Sequence, residues 1–278
     1  MGIVASLWYR YIRELYNDFM LYKPRKSLGQ NFLLNNEISS YMVGLLDLTN
    51  HDTVVEVGPG LGALTQKLSE NLFEYGSKIY AVEIDSRFIP KLKEMFKETI
   101  NVFVVEADIL KWLPAQKFYI DFKVLGSLPY YITSPILHCL VKLERRPIQA
   151  VLLIQKEVAE KISAPEGEAS YLSTFLQTFY NIEYLRTVPS NVFKPIPKVE
   201  GAIISFVRKE VPKIYEDLKV VEKYEKFLHK GFRSPRKMLN KPFKKTDLER
   251  VGVDGTKRPQ TLNVQTWMRM FEELILNK

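Results

Sequence analysis

The chain has 278 residues, 46% of them hydrophobic, with one cysteine, three histidines and a formal charge of +8. That is enough apolar material for a sizeable core, yet no apolar run reaches the roughly 18–20 residues that a membrane span needs. Cys139 alone excludes an intramolecular disulfide or a cysteine-cluster metal site, and His51, His138 and His229 lack metal-ligand spacing. Metal-free chemistry by a monomer in a reducing cytoplasm is the expectation.

In chain order, the first 21 residues mix aromatics with Arg10, Arg13, Glu14 and Asp18, which is not the apolar centre of a secretory signal. Ile3, Leu7, Tyr11 and Leu15 fall on one face of a short amphipathic helix, so residues 1–27 are expected to form that helix and a basic lead-in. Met1–Ser6 also fits the loose N-myristoylation pattern. From Asp52 onward β-rich runs alternate with helical stretches. Strands are predicted at Thr53–Val57, Lys78–Ile84, Val102–Glu106, Phe122–Leu125 and Ala150–Ile154, with helices such as Leu61–Leu72 and Phe88–Glu98 between them. Near-continuous apolar strands separated by helices imply a parallel sheet covered on both faces. One more strand, Gly201–Val207, follows the Pro-punctuated stretch Pro189–Pro197 and is expected at the sheet edge, antiparallel. After Arg208 the pattern turns to charged helices around Ile214–Phe232, Thr246–Val251 and Val264–Leu276. The expected architecture is α/β, a Rossmann-like sheet in residues 1–207 and a small helical domain in 208–278.

Charge marks the same boundary. Of the 40 basic and 32 acidic residues, 22 and 22 lie in 1–207, leaving 18 and 10 in 208–278. The whole positive excess sits in the last quarter, which suits either a polyanionic partner such as nucleic acid or a solvated helical surface.

The run Val54–Val57 leads into Gly58-Pro59-Gly60-Leu61-Gly62-Ala63. Glycines there let the backbone turn and approach a ligand at a helix N-terminus, beyond the carboxyl end of a strand. Glu83 follows the second strand, where a carboxylate can grip both hydroxyls of a ribose. Asp108 closes the third, where it can accept from an adenine amine. The loop alone fits NAD as well as S-adenosylmethionine; the acid closing strand three favours the latter. The fourth strand runs into Ser127-Leu128-Pro129-Tyr130, which resembles the [Asp/Asn/Ser]-Pro-Pro-aromatic motif of amino methyltransferases. The lone pair of an adenine N6 is delocalised into the ring, so acceptors must hold the amine while it pyramidalises. The Ser127 hydroxyl and the Leu128 carbonyl can do so, Pro129 removes a competing donor, and Tyr130 offers a stacking face. An ordinary Pro-turn after a strand would read the same in isolation.

Taken together these motifs resemble the ribosomal RNA adenine dimethyltransferase family of the KsgA type, which modifies small-subunit RNA. The resemblance runs from about Lys26 to Leu276. It includes Leu28-Gly29-Gln30-Asn31-Phe32-Leu33, Glu56–Gly60, Val82–Asp85, Ser127–Tyr130, Gln155–Val158, Val192–Val199 and Phe232–Lys237. It implies S-adenosylmethionine contacts at Asn31, Leu33, Gly58, Gly60, Glu83, Ile84, Asp108 and Ser127. It implies a target-base site of Ser127, Leu128, Pro129, Tyr130 and Phe193, with Phe193 stacking on a flipped adenine. Arg233, Arg236 and Lys237 correspond to the RNA-facing part of the tail. The implied activity is N6,N6-dimethylation of two adjacent adenines near the 3′ end of small-subunit RNA, within an assembling particle. The family normally has Asn where this chain has Ser127, so slower transfer, stalling at one methyl, is expected. Other readings are a macrolide-resistance type of enzyme acting on large-subunit RNA, a non-catalytic ribosome-assembly factor and a nicotinamide oxidoreductase.

Overall fold

The computed structural model describes residues 22–72 and 76–277. The expected amphipathic helix over the first residues and the myristoylation pattern lie outside the described residues. Nine strands are present among those described: β1 Phe32–Leu33, β2 Thr53–Val57, β3 Lys78–Glu83, β4 Val102–Glu106, β5 Phe122–Ser127, β6 Gln149–Gln155, β7 Tyr180–Val188, β8 Phe193–Lys194 and β9 Gly201–Arg208. Seven form one sheet in the order β4-β3-β2-β5-β6-β9-β7, and β1 pairs with β8 in a separate two-residue ladder.

The pairs β2–β3, β2–β5, β3–β4 and β5–β6 are all parallel. All five residues of β2 are buried, as are five of the six in β5, as expected for central strands covered on both faces. The chain winds outward from β2 through β3 to β4, then returns to β5 on the other side of β2. That reversal leaves a crevice beyond the carboxyl ends of β2 and β5, the usual ligand position in such sheets. Register places Val57 opposite both Val82 and Gly126, and Glu83 opposite Glu106, so the loops after these strands leave the sheet at one level. Beneath them Met42, Leu46, Val54, Leu68, Ile79, Leu125, Val151 and Ile203 form a fully packed core.

One expectation is corrected. The strand Gly201–Arg208 is internal, between β6 and β7, and the edge belongs to Tyr180–Val188, which sequence reading missed. Ala202, Ile203 and Ile204 have no exposure, a pattern that an edge strand with one open side cannot provide. In β7, exposed Asn181, Glu183 and Arg186 alternate with more buried neighbours, and such polar positions protect an edge.

The chain falls into two compact units. One contains residues up to 136 with 147–156 and 185–205; the other contains 137–146, 157–184 and 206 onward. This partition differs from the charge boundary near 208, because an aromatic core joins the C-terminal helices to residues 137–184. Phe175, Phe179, Tyr180, Tyr215, Tyr224, Trp267 and Phe271 are all buried. The Arg146 guanidinium lies 4.4 Å above the Phe179 ring and donates to the Tyr215 carbonyl at 2.8 Å. The Thr178 and Tyr224 hydroxyls are 3.1 Å apart. A cut at 208 would therefore open this core rather than detach a module. No helix among the described residues is long and apolar enough to cross a membrane.

Candidate active site

The glycine loop is held by its backbone. Gly58 and Gly60 have φ of +67° and +55°, which side chains with a Cβ rarely adopt. A Cβ on Gly60 would also come within 3.3 Å of the Phe32 ring. Gly58 N donates to the Val82 carbonyl at 2.9 Å and Gly62 N to Pro59 O at 2.8 Å, after which the helix Ala63–Asn71 begins.

Glu83 is buried and structural as well as available. Its Oε2 accepts from Gly60 N at 2.9 Å and its Oε1 from Asp85 N at 2.8 Å. Each carboxylate oxygen keeps a second lone pair for a ligand hydroxyl. Burial raises its pKa, against the backbone N–H groups of Asp85, Gly60 and Ile84 that lower it. Asp108 caps the helix Ile109–Ala115, its Oδ1 accepting from Leu110 N at 3.0 Å. One of its two oxygens is thus engaged, and the adenine-amine role expected of it falls to the other.

These groups line one cleft enclosing about 890 Å³, part of it open to solvent. Asn31, Leu33, Gly58, Gly60, Glu83, Ile84, Asp108 and Ser127, the residues expected from sequence to contact a cofactor, all lie in its wall. A smaller pocket, about 290 Å³ with the open solvent at its mouth included, is lined by Leu128, Tyr130 and Phe193, with Leu153, Ile154 and Gly201. Asn31, Ser127 and Pro129 belong to both walls. Tyr130 is fixed by its hydroxyl, which donates to Val199 O at 3.2 Å. Gly201 keeps this cavity open, since a Cβ there would meet Leu153 at 2.9 Å and Phe193 at 3.7 Å. Neither the Ser127 hydroxyl nor the Leu128 carbonyl makes a hydrogen bond to another described residue. Both acceptors at the junction are therefore unengaged.

The chain matches the family described as ribosomal RNA adenine dimethylase over residues 22–276. It belongs to that family. It is 35% identical to ribosomal RNA small subunit methyltransferase A of Persephonella marina, over 92% of this chain and 96% of that one. The protein of the same name from Staphylococcus haemolyticus is 34% identical, over 90% and 89%. Among solved structures, the 23S rRNA methyltransferase ErmE superposes with a TM-score of 0.69 at 27% identity, covering 87% of this chain and 99% of that one. A dimethyladenosine transferase from Plasmodium falciparum, 24% identical, has the same fold with a TM-score of 0.74 over 86% and 96%.

As a methyltransferase of this family, the chain carries one buried acid that sequence reading quoted but gave no role. Glu56 in β2 has no exposure; its Oε2 accepts from the Thr65 hydroxyl at 2.6 Å, and its Oε1 is buried with no hydrogen-bond partner among the described residues. Burial, with a smaller contribution from Glu83, pushes its pKa up to about 8. The available signal was a carboxylate inside an otherwise apolar strand. Gln30, Asp85 and Arg87 were also passed over, because polar residues in loops beside a strand look like ordinary surface. The expected RNA-facing trio, Arg233, Arg236 and Lys237, lies in the second unit. All three side chains are exposed, following the helix Leu218–Phe232, and none forms an ion pair among the described residues. No described group of His, Cys, Asp and Glu side chains could hold a metal ion.

Proposed function

We propose that this enzyme transfers methyl groups from S-adenosylmethionine to adenine N6 in ribosomal RNA, dimethylating two adjacent adenines near the 3′ end of the small-subunit RNA during ribosome assembly, as a cytoplasmic monomer. The observation that carries this reading is the shared wall. A roomy cleft and a smaller pocket beside it meet at Ser127, with two unengaged acceptors where an amine would sit.

The donor set of the cleft fits this cofactor. Glu83 offers acceptors for ribose hydroxyls, Asp108 one free carboxylate oxygen for an adenine amine, and Glu56 an orphan acceptor for a cationic end. When bound, S-adenosylmethionine supplies an electrophilic methyl group for direct displacement. The protein's part is to position and to accept hydrogen bonds. Ser127 Oγ and Leu128 O accept hydrogen bonds from the amine N–H groups, so the N6 lone pair turns out of the ring plane, and the methylated amine then sheds one proton to solvent. Phe193 and Tyr130 supply faces for the everted base, at a cost of unstacking that the cavity must recover. Primer extension across small-subunit RNA incubated with enzyme and cofactor tests the assignment. Stops at two adjacent adenines near the 3′ end support it, whereas modification confined to large-subunit RNA would transfer the reading to the type represented by ErmE. Binding of immature subunits without incorporation of labelled methyl would leave an assembly factor.

Ser127 is the position where chemistry should be slowest. A serine oxygen sits on a shorter arm than the Asn carbonyl expected from the family and reaches the amine only by adjustment or through a water. Ser127→Asn is expected to accelerate the second methylation about tenfold, read in single-turnover assays that resolve mono- from dimethyladenine. An unchanged ratio of the two products would contradict the role given to this hydroxyl.

We place the RNA grip on the basic helical part, residues 208–278, with the catalytic part in 1–207. Replacing Arg233, Arg236 and Lys237 together by Ala is expected to lower the slope of log K against log salt by roughly 2–3, about 0.7–0.9 for each phosphate that is no longer neutralised. Filter binding to a small-subunit RNA fragment over a range of salt measures this, and superimposable slopes would remove the trio from the interface.

A further inference from the structure

Two residues beyond Glu83, the carboxylate of Asp85 has no exposed side-chain surface, yet it is not part of the cleft wall. It gathers donors from two parts of the chain. Gln30 Nε2 donates at 2.8 Å to Oδ2, Arg87 donates through Nε at 2.9 Å to Oδ1 and through a terminal nitrogen at 2.5 Å to Oδ2, and Arg25 is ion-paired at 3.3 Å. The same groups are cross-tied. Arg87 also donates to Lys23 O at 3.0 Å, and Arg25 N donates to Gln30 Oε1 at 2.8 Å. On its other side, Asp85 N donates to Glu83 Oε1 at 2.8 Å.

A buried charge is costly unless partners surround it, and breaking such a set leaves an uncompensated ion. What this set joins is informative. The segment Lys23–Gln30 runs straight into Asn31, Phe32 and Leu33, and Leu28, Gln30 and these three all line the cleft. The far end of the network touches the carboxylate that faces them. We propose that Asp85 is a positioning residue for the cofactor cleft, clamping Lys23–Gln30 against the end of β3 so that this wall is held in register with Glu83. The inference rests on the reading of the cleft as the S-adenosylmethionine site. Arg87 holds the Asp85 carboxyl down to about 2, so the clamp stays charged across the neutral range.

The test uses the full-length protein, with S-adenosylhomocysteine as the probe, and the variants Asp85→Asn, Arg87→Ala and Arg87→Lys. Calorimetry is expected to show the probe bound at least tenfold more weakly by Asp85→Asn and Arg87→Ala, with partial recovery in Arg87→Lys, which keeps a cation opposite the carboxylate. The kinetic loss falls on KM for S-adenosylmethionine rather than on kcat. Trypsin is expected to cut after Arg25 and Lys26 faster in the two weak variants, and the probe to protect these sites in the wild type far better than in the variants. Should Asp85→Asn fail to fold, Arg87→Ala decides, since its side chain is partly exposed and outside the cleft wall. Unchanged affinity and unchanged cleavage in a folded variant overturn the clamp while leaving the cleft assignment intact. A wild-type protein that does not bind the probe overturns both.

Discussion

At pH 8 the Glu56→Gln variant is expected to be more stable than the wild type, and the two should converge as the pH falls towards 5. The Glu56 carboxyl is fully buried and its pKa is pushed up to about 8, chiefly by loss of hydration. In the unfolded chain a glutamate releases its proton near 4.5. Between those values the folded state therefore holds a proton that the unfolded state has lost, and stability falls as pH rises through that window. The contribution is complete below about 4.5, fades up to about 8 and is flat above it. At roughly 1.4 kcal/mol per pH unit, the swing is on the order of a few kcal/mol. Glutamine keeps the acceptor for the Thr65 hydroxyl and carries no titratable proton, so its stability should not show this decline. Urea unfolding of both proteins at several pH values from 5 to 8.5 measures the difference. Parallel curves would mean that Glu56 is not the buried acid described above. The same substitution removes a carboxyl that can release its proton beside the cationic end of the cofactor. Hydrogen bonds to charged groups contribute about 1.5–3 kcal/mol, so S-adenosylhomocysteine should bind ~10-fold or more weakly.

Phe193→Leu is expected to reduce kcat/KM on RNA by about 5-fold or more while changing stability little. Phe193 is 5% exposed and lies in β8, paired with Leu33 of β1, so its ring serves both the core and the smaller pocket beside Ser127. The two roles separate by substitution. Leucine fills most of the apolar volume, and swaps of that kind usually cost under about 1.5 kcal/mol, but leucine has no aromatic face. Stacking of a base on an aromatic side chain contributes about 1–3 kcal/mol, which corresponds to roughly 5- to 150-fold in rate if it is realised only when the base is everted. Phe193→Ala should add a cavity cost of about 3–5 kcal/mol in stability, and Phe193→Tyr should preserve most of the activity. Single-turnover methylation alongside urea unfolding reads both quantities. Wild-type turnover in Phe193→Leu would reduce the ring to core packing.

Much of the site could be read along the chain because it is built from strand ends. In a parallel sheet, residues just past the carboxyl ends of consecutive strands converge by topology, so the loop at Gly58, the acid at Glu83, the acid at Asp108 and the motif at Ser127 meet once the strands are recognised. Apolar runs such as Val54–Val57 and Val102–Val105 give those strands away by composition. The edge strand Tyr180–Val188 was not legible in this way, because exposed polar residues interrupt its apolar positions and leave no continuous run. Nor was the extent of the second unit: helix periodicity shows that the helix Leu218–Phe232 has an apolar face, but not that the helix Tyr171–Phe179 would pack against it.

The chain's own order of residues thus determined the fold class, the cleft and the pair of acceptors at Ser127 and Leu128, since each depends on local pattern and on a topology with few alternatives. Tertiary structure alone decided the protonation of Glu56, the buried charge cluster at Asp85 and the packing that binds residues 137–184 to the C-terminal helices. Those properties arise from desolvation and from pairing between residues distant in sequence. Neither has a signature until the chain has closed around them.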